Sequence, residues 1–213
     1  MFKNCSVVHD LSTSKDYSTI LYKFVSMRTK RFNLDGPDGF QYYFHDIRKD
    51  TMSAIRRQMG GGSVMVWAGI GYFGKTSIKF INGRMNSVRY INLIKEQINN
   101  HAERISGPDY VFQQDNASVH ISRLVQSYFN ENNISILPWS ARSPELNIIE
   151  NCWAELVDGV YTNGKQYQEV QELKNVVVRE WDTLSQNYTQ KLYKSIANRI
   201  IEVIKNKGGF THY

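Results

Sequence analysis

The sequence predicts one mixed α/β sandwich, a sheet flanked by helices, with a helical C-terminal third. Three observations carry this expectation. β-Branched and aromatic runs separated by turn formers come first, a strand, helix, strand, helix order follows, and amphipathic helices close the chain. A chain of 213 residues, 41% hydrophobic and 22% charged, is long enough to bury one sizeable core. These are ordinary globular fractions, and disorder is not the default expectation.

Taken in order, "TILYKFV" (19–25) reads as the first strand. "RFNL" (31–34) and "FQYYFH" (40–45) flank the turn-rich "DGPDG" and read as a β-hairpin. "SVMVWAGI" (63–70) and "TSIKFI" (76–81) bracket Gly71 to Lys75 as a second hairpin. "VRYINLIKEQINNHAERI" then sets Tyr90, Ile91, Leu93, Ile94 and Ile98 at helical spacing. A strand through Tyr110, Val111 and Phe112 runs out at Asp115, "SRLVQSYFNENN" (122–133) suits a helix and "ISILPW" (134–139) a short buried strand. Pro144 stops earlier helical structure, so a helix is expected to begin near Asn147 and run through "IIENCWAELV". The last third is helical, "EVQELKNVVVREWDTL" and then "YTQKLYKSIANRIIEVIKNKGG". Leu192, Ile196, Ile200, Val203 and Ile204 form one apolar core stripe there, and Gly208 is the expected C-cap. No internal repeat is present.

The net charge of +6 and pI of about 9.2 favour anionic partners, nucleic acid ahead of an acidic membrane surface, or simply a soluble basic protein. Cys5 and Cys152 are the only cysteines, which excludes a disulfide framework or a cysteine-rich zinc site and fits a reducing compartment. In an intracellular protein, the glycosylation-like triplets at Asn4, Asn116 and Asn133 are chance matches. No apolar run approaches membrane-spanning length and the N-terminus lacks a signal-like apolar region, so no membrane partner is expected. "GIGYFGKT" (69–76) matches a phosphate-loop pattern letter for letter, but such a loop needs a helix directly after it. Here "TSIKFI" alternates like a strand, so a hairpin is the simpler reading and no nucleotide cofactor is expected.

Chemistry concentrates in "YVFQQDNASVH" (110–120) and "SPELNIIENCW" (143–153). Asp115 stands at the tip of a core strand, where it either caps the following turn or serves in a site. Glu150 lies 150 − 115 = 35 positions further on, on a helix face shared with Leu146 and Trp153. A glutamate on an apolar face is costly to bury unless it is paired or binds a cation, and no Lys or Arg lies one helical turn away. A metal is the natural suggestion. His120 either touches a phosphate or orients Glu150 through water, or is a hydrogen-bonded structural histidine. Asn116 and Asn147 either brace the carboxylates or cap helices. Gln113 and Gln114 read as structural.

Together "GGGSVMVWAGI", "FQQDNASVH" and "PWSARSPELNIIENCW" resemble the catalytic domain of the mariner superfamily of DNA transposases, from about Lys30 to the C-terminus. The resemblance implies a ribonuclease H-like fold over residues 27–213, with 1–26 a divergent N-terminal segment. It further implies two aspartates and a glutamate that hold two Mg²⁺ (or Mn²⁺) ions, cut DNA at transposon ends and join the freed 3′-hydroxyl to target DNA. Two such cations would stabilise the attacking and leaving oxygens of an in-line displacement. Asp115 matches the second aspartate and Glu150 the glutamate, and both are the expected metal ligands.

The first aspartate is where this chain departs. Counting back from Lys30 puts Thr29 and Arg28 where the family carries Glu and Asp. A fixed positive charge at that position predicts impaired cleavage, since losing two or three kcal/mol of transition-state stabilisation costs about a hundredfold in rate. Asp35 and Asp38 are the nearest replacements, yet at roughly 3.3 Å per residue Asp35 lies some 20 Å along the chain from Arg28. Ser140 and Glu145 are softer departures, and the helix-turn-helix modules that precede the family's catalytic domain have no counterpart in residues 1–26. The expected partners are DNA and a second copy of the chain, and the expected location is the nucleus. The competing expectation is a non-catalytic relic or domesticated module that binds nucleic acid or a partner.

Overall fold

Strand β1 (Phe24–Asn33) is the spine of the sheet. The sequence suggested two strands here, with the polar run Ser26 to Lys30 between them; they are one. Continuity comes from the long ladder with β2, which runs from Ser26 to Asn33 and holds the polar stretch in strand geometry regardless of propensity. β2 (Ser63–Gly71) pairs antiparallel to β1 from Ser26↔Ile70 to Asn33↔Ser63, and β5 (Val111–Gln113) pairs parallel to it from Phe24↔Val111 to Ser26↔Gln113. β3 (Gly74–Lys75) and β4 (Lys79–Ile81) both pair with β2, giving the order β3-β2-β1-β5 with β4 off that path. This computed structural model describes residues 22–38, 62–137 and 146–206.

Alternation along β1 divides the core into two layers. Val25 and Met27 point to one face, where Ile91, Ile94, Ile98, Ala102 and Ile105 of helix α1 (Ser87–Ser106) pack with Val125 and Phe129 of α2 (Arg123–Glu131). Phe24 and Phe32 point to the other, against α3 (Ile149–Val160), α4 (Val170–Thr183) and α5 (Gln186–Lys205). The expected stripe on α5 is in place, with Leu192, Ile196, Ile200 and Val203 buried. The Tyr193 hydroxyl lies 2.7 Å from the Phe24 carbonyl and 2.9 Å from that of Ile70, so α5 is tied to two strands at once. No described helix is long and apolar enough to cross a membrane.

Two elements are shorter than the sequence suggested. Of the strand expected over 134–139, the described residues 134–137 form a parallel bridge, Phe112↔Ile136, with Phe112 donating to Ser135 and Leu137 donating to Phe112, and 138–139 lie outside the described residues. The helix expected from Asn147 starts at Ile149, and Asn147 instead offers its carbonyl to the Glu150 N–H. The second arm of the first hairpin, Ser140, Pro144, Glu145, Gly208 and residues 1–21 lie outside the described residues.

The "GIGYFGKT" stretch is structural. No helix follows it; the chain turns from β2 into β3 and on to β4. Gly71 is required because a Cβ there would sit 2.2 Å from the Ile105 carbonyl oxygen. The Thr76 hydroxyl accepts from Gly69 N–H at 2.9 Å, and the Thr76 carbonyl accepts from the Trp181 indole at 2.8 Å. Lys75 reaches the end of α4, donating to the carbonyls of Leu184 (2.7 Å), Asp182 (3.1 Å) and Trp181. A cation there satisfies orphan carbonyls and complements the helix dipole. Lys75→Met is therefore expected to destabilise the fold by about 1–3 kcal/mol, the cost of leaving partly buried acceptors unmade. Urea unfolding measures it, and an unchanged midpoint would contradict the capping role.

Candidate active site: an arginine between two carboxylates

Side chains of Ser26, Arg28 and Lys30 alternate onto the face of β1 that α3 covers. Continuing the β1/β5 register by two residues from Ser26↔Gln113 sets Arg28 beside Asp115, just past the end of β5. Glu150, in the first turn of α3, closes the third side. A short tether places it: the buried Ser26 hydroxyl donates to the Asn147 side chain at 2.6 Å, fixing the entry to α3 against β1. Asn147 thus braces the site through the backbone and Ser26.

Arg28 joins the two carboxylates. Its Nη1 is ion-paired with Glu150 Oε1, and its Nε lies 3.8 Å from Asp115 Oδ2. The three side chains are 31–34% exposed, open enough to be reached from solvent. Both readings of Asp115 hold together: its Oδ1 accepts the Ala117 N–H at 3.1 Å, a local turn, while the same carboxylate faces Arg28.

His120 binds Asp115 directly. Its Nδ1 is 2.6 Å from Asp115 Oδ1 and 3.2 Å from the Asp115 carbonyl. The ring stacks on Tyr90, centroids 4.3 Å apart at 28°. Tyr90 is buried and donates to Gln114 Oε1 at 2.7 Å, and Gln126 donates to the His120 carbonyl at 3.0 Å. Asn116 is exposed beside this turn. Sequence reasoning missed Ser26, Lys30 and Tyr90. The period-2 alternation through Arg28 would have found the first two; nothing in the sequence linked Tyr90 to His120.

The carboxylates titrate in opposite directions. The hydrogen bond from His120 holds Asp115 below the usual aspartate range, against the opposing effect of burial and with help from the Ala117 N–H and the charges of His120 and Arg28. Burial pushes Glu150 up, and the nearby Arg28 and Lys30 only partly offset it. Among the described residues, Asp115 and Glu150 are the only acidic groups drawn to Arg28, and no three His, Cys, Asp or Glu side chains group as a metal site. Asp38 is held at the far end of β1 by Asn33 (2.8 Å), and neither it nor Asp35 supplies a third ligand. With a guanidinium between the carboxylates, the described residues do not fit a divalent-cation pair.

A lowered Asp115 pKa contributes stability that is present above the ordinary value of 3.8 and is lost as pH falls through the folded-state value. Raised Glu150 has the reverse sign: its ionisation, as pH climbs past the ordinary 4.5, costs stability. Asp115→Asn is accordingly expected to lose less stability than the unaltered chain on acidification below 3.8. Denaturant melts over a pH series check this, and parallel curves would contradict it.

A family model described as DDE superfamily endonuclease matches residues 24–174. The transposable element Tc3 transposase of Caenorhabditis elegans is 41% identical over 191 residues, covering 90% of this chain and 58% of that protein. The Tcb1 transposase of Caenorhabditis briggsae is 33% identical over 196 residues, 86% of this chain and 67% of that one. The chain thus spans well under two thirds of the Tc3 relative. Among solved structures, the Mos1 transposase paired-end complex with left transposon end superposes with a TM-score of 0.81 at 17% identity, covering 97% of this chain and 61% of that one. The catalytic domain of Mos1 mariner transposase covers 98% of this chain and 92% of that one, with a TM-score of 0.70 at 15% identity. At such identity the likeness shows the fold, the ribonuclease H-like mixed sheet flanked by helices. By the family match and the 33% relative, the chain belongs to the DDE superfamily endonucleases, among the transposases of the mariner superfamily.

Proposed function

We propose that this chain is a transposase-derived DNA-acting domain whose ancestral reaction is strand cleavage and transfer, and whose cleavage is silenced by Arg28. The reading rests on its relatives, and on one contact: the Arg28 guanidinium bridging Asp115 and Glu150. Mos1 complexes described with Mn and with Mg support divalent-metal use in an intact relative. In this chain Asp115 and Glu150 are the residues that would serve as ligands, and Arg28 opposes any cation there by charge and by volume. DNA is the proposed partner, in keeping with the Mos1 complex with a transposon end. Pairing of two copies and a nuclear location are part of the same proposal.

Arg28 keeps the carboxylates neutralised and oriented without supplying the third acidic ligand. His120 fixes the Asp115 rotamer from the opposite side, so the remaining machinery stays in its geometry. The competing reading, a non-catalytic nucleic-acid-binding module, is favoured by the same Arg28 contact and differs only in whether the rest of the site still works. Nicking of supercoiled plasmid in Mg²⁺ or Mn²⁺ separates the two. The unaltered chain is expected not to nick, Arg28→Asp to gain at least about a hundredfold in rate, and Glu150→Gln in that background to abolish the gain. Nicking by the unaltered chain that its own Glu150→Gln variant loses would overturn the silencing.

A further inference from the structure

The link between β4 and α1 carries a reactive pair that the site above does not use. Asn82 and Gly83 are both exposed, and Gly83 takes φ +70° as the chain bends toward α1. Among the described residues neither the Asn82 side-chain amide nor the Gly83 N–H makes a hydrogen bond. Glycine has no Cβ to shield its nitrogen, and asparagine is a chemically labile side chain. The Gly83 nitrogen is thus free to attack the Asn82 side-chain carbonyl carbon, closing a succinimide ring and expelling ammonia.

Arg89 is set against this peptide. Its Nη1 donates to the Asn82 carbonyl at 2.9 Å and to the Arg84 carbonyl at 3.0 Å. Its backbone N–H donates to the side chain of Asn86, the N-cap of α1, at 2.9 Å, so both ends of the residue are held. The Asn82 carbonyl belongs to the same peptide group as the Gly83 nitrogen. When that nitrogen loses its proton, negative charge gathers on the carbonyl oxygen, where a guanidinium stabilises it. The contact acts again at hydrolysis. Water adding to the main-chain carbonyl of the succinimide puts an oxyanion on the oxygen that Arg89 holds. The bond from that carbon to the Gly83 nitrogen then breaks, the chain continues through the side-chain carbon as isoaspartate, and the freed α-carboxylate faces Arg89. One water is consumed and one ammonia released, and the Gly83 proton passes through solvent to the departing ammonia.

Asn163 and Gly164 form the same dipeptide in the opposite setting. Asn163 has φ 58° and ψ 27°, and the Gly164 N–H donates to the Tyr161 carbonyl at 3.0 Å. A nitrogen committed to that turn reaches the Asn163 side chain only by breaking the bond. We propose that Asn82–Gly83 is a self-modifying site, at which Arg89 promotes deamidation and steers it to isoaspartate. This chemistry is independent of the DNA-acting reading. It adds one negative charge to a chain of net charge +6 and lengthens the backbone just ahead of α1.

The test incubates the full chain, folded and in urea, in mildly alkaline buffer, and follows Asn82 and Asn163 by peptide mapping that separates aspartate from isoaspartate. In urea the two are expected to convert alike, since each Asn-Gly is followed by a basic residue, Arg84 or Lys165. In the folded chain Asn82 should convert about tenfold faster than Asn163, with a larger isoaspartate share than in urea. Arg89→Gln should slow Asn82 by about fivefold and return the isomer share to the urea value, a modest factor because the guanidinium is exposed to solvent. Conversion at Asn82 no faster than at Asn163 in the folded chain would overturn the site. An unchanged or faster rate in Arg89→Gln would overturn the promotion by Arg89. If that variant melts early, the unaltered chain alone decides the steering, and an equal isomer share folded and in urea would overturn it.

Discussion

The arrangement of this molecule turns on a single charge contact, Arg28 with Glu150 on one side and Asp115 on the other. Three separate elements converge there: the middle of β1, the residues just past β5, and the first turn of α3. Two carboxylates this close repel unless a cation stands between them, and the fold leaves them partly screened from water. Arginine suits the role because its planar fork reaches two oxygens on different partners and stays charged at any relevant pH. Lys30, two residues along the same face, acts on Glu150 as a second positive charge.

What surrounds the contact keeps it in register. Pairing of β1 on both edges prevents the slip that would turn Arg28 to the other face. Ser26 and Asn147 fix α3 to that strand, and the Arg199 guanidinium reaches the Asn151 side chain at 2.9 Å to hold α3 against α5. On the opposite side, Tyr90 and Gln114 set His120 against Asp115.

Much of this was legible beforehand. Helical periodicity located α1, α2, α4 and α5 to within a few residues, because their apolar stripes face a continuous core. Asp115 and Glu150 stood out as carboxylates where apolar surface was expected, and the family pattern exposed Arg28. The continuity of β1 was hidden, since Ser26 to Lys30 looks polar until its ladder with β2 is known. At 134–137 the opposite holds, an apolar run whose strand pairing in the described residues is one bridge. The hydrogen-bonded reading of His120 is the one the geometry bears out, but its partner was not legible, because the turn closed by Ala117 folds the ring back onto Asp115. Such a contact depends on a five-residue loop conformation that composition does not encode.

The central claim is that Arg28 occupies the role of a metal cation. Calorimetric titration with Mn²⁺ of the unaltered chain, Arg28→Asp and Arg28→Asp with Asp115→Asn tests it without relying on any reaction. The account predicts no measurable binding by the unaltered chain, binding by Arg28→Asp, and loss of that binding when Asp115 is also changed. Mn²⁺ binding by the unaltered chain that disappears in Asp115→Asn alone would contradict it, because the carboxylates would then still be open to a cation with Arg28 in place.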